Sequence, residues 1–277
     1  MKHIKYFFPV ILFFLVQLQL PGQLNVITYN IRLNTPGDGE HAWPHRKADV
    51  INLLKFHRAD IFGLQEAKHE QVMAIDSAFP GFSFVGVGRD DGATAGEYTP
   101  VFYNHNKFKL LDSGNFWLSE TPGKPGLGWD AVCNRICSYA SLQERSTGKR
   151  IMVFNTHFDH VGVEARKNAA DLIISRIKTM AGDTPVILTG DFNLPPESVP
   201  IGKLSGFLND AYHVTKLPPH GATGTWSGFR YEDAKGKRID YIFVSDGVTV
   251  KRYGALTDSR DGNFFSDHLP VLVEVDF

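Results

Sequence analysis

Apolar segments that end in polar side chains are the feature that most constrains the fold of this chain. Four such segments follow one another along the sequence, and their letters read NVITYN, DIFGLQE, IMVFNTHFD and VILTGDFN. Short apolar runs bounded by turn residues are typical of buried strands. Strand ends at one edge of a sheet lie close together, and ligand sites favour such edges. The pattern therefore predicts a buried sheet whose polar strand ends meet in one cleft.

The rest of the chain adds further strand-like segments and a few helical ones. The segment GVEARKNAADLIISRIKTM carries its apolar residues on one helical stripe, and HRKADVINLLKFHRA does the same. No repeat, low-complexity tract or linker divides the 277 residues. Many strands with a few helices outside them predict an α/β (mixed α+β) fold, in which two packed mixed β-sheets are flanked by helices. We expect one domain over residues 23–277.

Residues 1–22 differ from the rest of the chain. Lys2 and Lys5 precede the apolar run YFFPVILFFLVQLQL, which turn residues follow. This order predicts a secretory signal peptide and hence an exported protein, either periplasmic or secreted. The alternative is an uncleaved membrane anchor. Cleavage is favoured because the run is short for a span of about 20 residues and contains Gln17 and Gln19; the residues leave the cleavage position open.

The charge balance bears on the partners of the chain. The formal net charge is −1, and loss of Lys2 and Lys5 with the signal takes it to −3. Proteins that bind nucleic acid through a broad face usually carry a basic excess. We therefore expect any polyanionic substrate to be met by a local patch.

The cysteine count bears on redox state and metal binding. Cys133 and Cys137 are the two cysteines, and their spacing leaves free thiols and a short-loop disulfide equally open. Two cysteines are too few for a thiolate zinc site.

The polar residues at the strand ends and starts form a set of oxygen and nitrogen donors. Its members are the carboxylates Glu66, Asp191, Asp240 and Asp267, the amides Asn30 and Asn193, and the histidines His157 and His268. Clustered carboxylates repel one another unless protons or a cation lie among them. Oxygen donors favour a hard divalent ion such as Mg²⁺, and histidines beside it serve as general acid or base. Each motif alone is weak, but together they predict hydrolysis of a phosphate ester.

The order of these motifs along the chain resembles a known family. The segments TYNIR, GLQE, GEYTPVFYN, NTHFDH, LTGDFN, RIDYIF and SDHLPV together resemble the endonuclease/exonuclease/phosphatase superfamily, which has the deoxyribonuclease-I-like fold. The resemblance runs from about Asn25 to the end of the chain, and other segments look like a bacterial exported subgroup. It implies a four-layer α/β sandwich and a Mg²⁺-dependent phosphoesterase.

On the metal side of the cleft, the resemblance implies roles residue by residue. Glu66 matches the main metal ligand, Asn30 an amide beside that metal, and Asp267 a nearby carboxylate. The implied ion is Mg²⁺, with Mn²⁺ as the alternative.

On the catalytic side, the resemblance implies a water-handling group and a phosphate-handling group. Asp191 matches the carboxylate that orients or deprotonates the attacking water, and Asn193 matches the phosphate-binding amide. His268, held by Asp240, matches the histidine over the scissile phosphate. His157 matches the second histidine of the family.

The deoxyribonuclease branch of the superfamily is matched less fully. Glu97 has the spacing of the carboxylate partner of His157 in that branch. Ala95 and Lys68 stand where that branch has a tyrosine and an arginine, so its grip on a duplex is in doubt.

Two further residues are candidates for binding the substrate. Arg135 could reach a phosphate bidentately or be an ordinary surface charge, and Trp226 in a rim loop could stack on a ring or pack over the loop.

The substrate class is expected to be a phosphodiester. The alternatives are a phosphomonoesterase and a sphingomyelinase-like phospholipase of the same fold. The substrate itself stays open among nucleic acid, a nucleotide, an inositol phosphate and a phospholipid head group. No obligate protein partner is evident, and a monomer is expected. A non-catalytic binding protein ranks lower because Glu66, Asp191 and His268 are all retained.

Overall fold

The structure is a computed structural model and describes residues 23–277. The predicted signal peptide, residues 1–22, lies outside the described residues. Within residues 23–277, no helix has both the length and the apolar character that crossing a membrane requires.

Seventeen strands and five α-helices make up the described part of the chain. The strands are β1 (Leu24–Asn30), β2 (Ile61–Gln65), β3 (Ala67–Lys68), β4 (Phe82–Val85), β5 (Glu97–Tyr98), β6 (Val101–Asn104), β7 (Phe108–Trp117), β8 (Ile136–Glu144), β9 (Arg150–His157), β10 (Val186–Asp191), β11 (Asn209–Asp210), β12 (His220–Gly221), β13 (Asp240–Val244), β14 (Thr249–Ala255), β15 (Ser259–Arg260), β16 (Asn263–Phe264) and β17 (Val271–Asp276). The helices are α1 (Trp43–Phe56), α2 (His69–Ala78), α3 (Val163–Ala181), α4 (Val199–Phe207) and α5 (Ala211–Val214), and 3₁₀ helices cover Pro36–His41 and Tyr231–Lys235.

Two mixed sheets pack face to face at the centre of the molecule. The first sheet has the order β12-β14-β17-β1-β2-β6-β4, and the second has the order β11-β13-β10-β9-β8-β7. One apolar core lies between the sheets, a second joins the first sheet to α1 and α2, and a third joins the second sheet to α3 and α4. The predicted fold of two packed mixed sheets flanked by helices is therefore confirmed.

The two-residue period of a strand decides where its polar end points. In β1, Val26 belongs to the core between the sheets, whereas Ile27 and Tyr29 belong to the core beneath α1 and α2. Since successive side chains alternate between faces, Thr28 and Asn30 point into the space between the sheets. The same alternation holds in β10, where Ile187 packs between the sheets. The last residue of each strand thus carries its polar group to the end of the inter-sheet space.

A buried polar cluster joins the sheets just below that end. Gln65 Nε2 donates to Asn155 Oδ1 at 2.6 Å, and Thr189 Oγ1 donates to the same oxygen at 2.9 Å. Asn155 Nδ2 donates in turn to the carbonyl of Leu64 at 2.8 Å. A Cβ atom on Gly63 would lie 2.5 Å from the Asn155 side chain, so this approach of the two sheets requires glycine. The cluster holds the sheets together because its buried groups have no water to bond instead.

The two cysteines are free thiols in this structure. Cys133 is half-buried in a loop and Cys137 is buried in β8. Burial raises the pKa of the Cys137 thiol.

Candidate active site

Asp191 lies at the centre of the polar strand ends. It is the last residue of β10, which is parallel to β9 and antiparallel to β13. In register, Asp191 is the neighbour of His157 on one side and of Asp240 on the other. All three side chains are buried, with exposures of 1%, 5% and 0%. The second sheet therefore supplies a carboxylate flanked by an imidazole and a second carboxylate.

Asn30 connects this group to the first sheet. Its Nδ2 atom donates to Glu66 Oε1 at 3.0 Å and to Asp191 Oδ2 at 2.9 Å. Glu66 follows β2, which is the parallel neighbour of β1, so both residues leave the same sheet edge. One buried amide thus joins the carboxylates of the two sheets across the gap.

His268 precedes β17, a strand of the first sheet, and its ring lies close to Asp240 and Asp191. Its Nδ1 atom lies 2.9 Å from Asp240 Oδ2, and its Nε2 atom lies 3.7 Å from Asp191 Oδ2. Burial by itself lowers the pKa of His268, but the charges of Asp240 and Asp191 outweigh it and raise the pKa well above its ordinary value. His268 is therefore set to carry a proton.

His157 has the opposite electrostatic setting. Burial lowers its pKa well below the ordinary value, and the positive charges of Arg135 and Arg89 lower it further. Asn193 Nδ2 lies 3.0 Å from His157 Nε2, so a neutral ring accepts there and carries its proton on Nδ1. That Nδ1 atom is buried and meets no hydrogen-bond partner within residues 23–277.

Burial also governs the charge of Asp191. Burial and the neighbouring charge of Asp240 raise its pKa to about 7, although His268 and the Asn30 hydrogen bond oppose the shift. The backbone N–H of Asn193 donates to Asp191 Oδ1 at 2.9 Å. Asp191 therefore gains or loses a proton near neutral pH, as a group that handles a water proton must.

Three site residues hold an uncommon backbone conformation. Arg32 has φ 57°, Glu66 has φ 59° and Asn193 has φ 52°, all in the left-handed region. A glutamate there stores strain that the surrounding contacts must offset, and such strain is common at functional sites. The turn after β2 therefore aims the Glu66 carboxylate into the cleft.

Glu66 and Asp267 form the most suitable pair for a hard cation. The guanidinium of Arg32 makes two hydrogen bonds of 3.0 Å to Asp38 and lies 3.7 Å from Glu66 Oε2 and 4.0 Å from Asp267 Oδ2, so it offsets only part of the charge of these two carboxylates. Burial raises the pKa of Asp267, and the charge of Glu66 adds to the effect. Carboxylate oxygens whose negative charge is not fully neutralised are suitable ligands for Mg²⁺ or Mn²⁺. With Asn30 beside them, these residues match the metal side that the sequence predicts.

A second group of three side chains could hold an ion by distance alone. The ligand atoms of Asp191, Asp240 and His268 all lie within 4.8 Å of one another. However, His268 already pairs with Asp240, and Asp191 accepts from Asn30. We therefore interpret this group as an acid–base cluster.

A third such group lies at the rim. Cys133, Asp159 and His160 also bring one ligand atom each within 4.8 Å. Here Asp159 accepts backbone hydrogen bonds from Gly162 and others, and Arg135 Nε lies 3.5 Å from its Oδ2 atom. Both oxygens of Asp159 therefore already accept backbone N–H groups, which leaves this carboxylate less available to a cation.

The predicted pairing of Glu97 with His157 is not made. Arg89 engages the Glu97 carboxylate with two hydrogen bonds, of 2.7 and 2.9 Å, and the described part of the chain shows none between Glu97 and His157. The bidentate fork of an arginine competes strongly for a carboxylate. Glu97 nevertheless lines the same cavity as His157.

Both predicted substrate-binding residues line that cavity, which has a volume of about 660 Å³. Arg135 is buried, with 5% exposure, and not a surface charge. Trp226 is half-buried, and the ammonium of Lys237 lies 4.6 Å from its ring centroid. The cavity also contains Arg89 and Lys237, which sequence reasoning missed because their loops carry no motif.

Known proteins share the sequence pattern and the fold of this chain. Residues 27–268 match the model of the Endonuclease/Exonuclease/phosphatase family. A solved structure from Bacteroides thetaiotaomicron VPI-5482, named as a mannosyl-6-phosphatase, is 38% identical, with a TM-score of 0.87 and coverage of 92% of this chain and 100% of that chain. An endonuclease/exonuclease/phosphatase from Bacteroides vulgatus is 39% identical, with a TM-score of 0.89 and coverage of 92% and 99%.

Curated relatives are more distant and longer. Nocturnin of Drosophila melanogaster is 25% identical over 245 residues, which cover 76% of this chain and 37% of nocturnin. An uncharacterized mimivirus protein is 29% identical over 161 residues, which cover 55% of this chain and 60% of that protein. The chain thus spans less than two thirds of the length of these relatives.

Proposed function

The chain belongs to the endonuclease/exonuclease/phosphatase family of phosphate-ester hydrolases, and we propose that it attacks its ester with water, in line, with the aid of Mg²⁺ or Mn²⁺. The observation that carries this proposal is the double hydrogen bond of Asn30. It joins Glu66, on the side that suits a cation, to Asp191, on the side of the two histidines. A phosphate between these groups would face positive charge on one side and proton carriers on the other.

The cation would be held by Glu66 and Asp267, with the amide of Asn30 beside them. When bound, it neutralises charge that develops on the phosphate oxygens. Arg32 lies 3.7 and 4.0 Å from these carboxylates but makes its hydrogen bonds to Asp38, so negative charge remains on this side of the cleft for a cation to offset.

The proton-handling roles follow from the two pKa directions. Asp191, whose pKa lies near neutrality, orients the attacking water and accepts its proton. His268 is held in one orientation by Asp240 and presents a proton at Nε2 toward the phosphate. A neutral His157 would donate from Nδ1 to a phosphate oxygen, and Asn193, whose amide donates to His157 Nε2 and to the Phe158 carbonyl, fixes the orientation of that ring.

The substrate range is bounded by the family. The sequence expectation of a phosphodiester stays a prediction, with a phosphomonoester and a phospholipid head group as the alternatives. The similar Bacteroides thetaiotaomicron protein is named as a phosphatase of a mannosyl-6-phosphate, which supports the monoester alternative. Export and a monomeric state, which the sequence predicts, also stay proposals. Cell fractionation and light scattering of the purified protein test them.

Hydrolysis of two chromogenic esters tests the proposed activity. Purified protein is expected to release nitrophenol from 4-nitrophenyl phosphate, bis-(4-nitrophenyl) phosphate or both with Mg²⁺ or Mn²⁺, and to lose this activity in EDTA. His268→Ala is expected to lower turnover by about 100-fold or more. His213→Ala, an exposed histidine outside the cavity, is the matched control. Activity that persists in EDTA would contradict the metal role, and no turnover of either ester would contradict the proposed function.

A further inference from the structure

Arg135 is a buried cation with free donors beside the phosphate-handling residues. Its side chain has 5% exposure, yet its Nε and Nη1 atoms meet no hydrogen-bond partner among residues 23–277. Only Nη2 is engaged, at 3.0 Å from His160 Nδ1. A buried charged donor without a hydrogen-bond partner is unfavourable, so these two N–H groups lower the stability of the folded state.

Asp159 does not satisfy those donors. Its Oδ2 atom lies 3.5 Å from Arg135 Nε and already accepts the backbone N–H of Val132 at 3.2 Å. Its Oδ1 atom accepts the N–H groups of Val161 and Gly162 at 2.9 and 2.7 Å. The Asp159 carboxylate thus balances the charge of Arg135, but its oxygens accept their hydrogen bonds from backbone N–H groups of the loops.

Two other residues that line the same cavity of about 660 Å³ also hold a buried donor without a partner. These donors are His157 Nδ1 and Arg89 Nε, which the described residues also leave unbonded. Arg89 is fixed in place by the two hydrogen bonds from its other nitrogens to Glu97. Three side chains that line the cavity therefore hold buried N–H groups without a partner among residues 23–277. That is the arrangement expected of a site for an anion with several oxygens.

We propose that Arg135 is a substrate-binding residue that holds the third non-bridging oxygen of a phosphomonoester, which makes a monoester dianion the preferred substrate. The proposal rests on the proposed function and names its substrate class. A phosphodiester has two non-bridging oxygens and one negative charge. The cation side and the Nδ1 donor of His157 would suffice for these. A monoester presents a third oxygen and a second charge where a diester carries its other substituent, and a guanidinium matches that oxygen.

Arg135 variants test the proposal with both esters. We measure kcat/KM for 4-nitrophenyl phosphate and bis-(4-nitrophenyl) phosphate at saturating Mg²⁺. The wild type is expected to favour the monoester by at least about 10-fold. Arg135→Gln is expected to lower the monoester value by about 10- to 100-fold and the diester value by no more than about 3-fold. Arg135→Lys keeps the positive charge but loses the planar guanidinium. Its kcat/KM for the monoester is expected to lie between those of the wild type and Arg135→Gln.

Arg166→Gln is the matched control. Arg166 donates to the carbonyls of Asp159 and Val161 in the same loop but does not line the cavity. It is expected to change both esters alike, and by little. Thermal melts show which variants are folded. If Arg135→Gln does not fold, two other measurements decide. One is the preference of the wild type between the two esters. The other is inhibition by inorganic phosphate, which is expected to be weaker in Arg135→Lys than in the wild type by about 10-fold or more.

The outcomes separate this proposal from the proposed function. A wild type that prefers the diester, or equal losses for both esters in Arg135→Gln, would overturn the monoester assignment while the hydrolase stands. Hydrolysis of neither ester would overturn both.

Discussion

The Nδ1 atom of His268 lies 2.9 Å from the Oδ2 atom of Asp240, and both side chains are buried. Asp240 begins β13 and His268 lies three residues before β17, so the pair joins the second sheet to the first. A carboxylate bonded to one imidazole nitrogen fixes the tautomer and favours the protonated ring. This relationship explains why the pKa of His268 is raised although burial opposes it.

Replacing Asp240 by asparagine is expected to reduce turnover by about 100-fold or more, because the ring loses both its fixed orientation and the charge that keeps it protonated. The kcat of Asp240→Asn at saturating Mg²⁺ measures this. Asp246→Asn, at an exposed turn residue two positions after the end of the same strand, is the control and should match the wild type. A kcat of Asp240→Asn within 3-fold of the wild type would refute the role of the pair.

Glu66→Gln is expected to weaken metal binding more than it affects the fold. The variant removes the charge of one of the two carboxylates that would hold the cation, so the Mg²⁺ concentration for half-maximal activity should rise by about 10-fold or more. Calorimetric titration with Mn²⁺ measures the metal affinity directly, without turnover. Glu70→Gln, an exposed residue four positions later, should leave both unchanged. Equal Mn²⁺ affinity of Glu66→Gln and the wild type would exclude Glu66 as a ligand.

Residues at strand ends were predictable because the strand itself dictates their direction. Once β1 buries Val26 between the sheets, the two-residue period places Asn30 there too, and the same holds for Asp191 in β10. A buried sheet whose strands end in polar residues has few places to put those side chains other than one edge. The structure shows the predicted layers and brings these side chains together.

Loop residues were not predictable in the same way. The resemblance to the deoxyribonuclease branch implied that Glu97 pairs with His157, yet Arg89, eight residues earlier in a loop, binds the Glu97 carboxylate instead. The position of a loop depends on contacts distant in sequence, such as the bond from Trp117 Nε1 to the Arg89 carbonyl at 2.7 Å. For the same reason the sequence left Arg135 open between a surface charge and a ligand.

Gly63→Ala is expected to destabilise the protein by about 1–3 kcal/mol. The new methyl group would lie 2.5 Å from the Asn155 side chain and 2.6 Å from Thr189 Oγ1, so the sheets must separate or the polar cluster must break. Urea unfolding measures the change. Gly202→Ala is the control, because its methyl group meets nothing within 4 Å in helix α4, and alanine there should be neutral or stabilising. Equal stabilities of Gly63→Ala and the wild type would show that the sheets do not need this close approach.

Asp159 is expected to contribute stability that depends on pH. Burial by itself raises its pKa, but hydrogen bonds from the Gly162 and Val161 amides and the charge of Arg135 outweigh burial and lower the pKa from 3.8 to about 2. Because the folded state holds the ionised form more strongly than the unfolded state does, this stabilisation is complete above about pH 4. It is lost as the pH falls toward 2.

The Asp159→Asn variant isolates that contribution. With the side chain only 2% exposed, solvent screens the charge little, and the shift corresponds to about 2 kcal/mol at pH 7. Urea unfolding at pH 7, 4 and 3 is expected to show the wild type more stable than Asp159→Asn by about that amount at pH 7, with the gap narrowing below pH 4. Asp171→Asn breaks an exposed pair with Lys203 and should change stability by less than about 1 kcal/mol. A gap between the wild type and Asp159→Asn that stays constant from pH 7 to 3 would mean that the carboxylate acts through its shape and not through its charge.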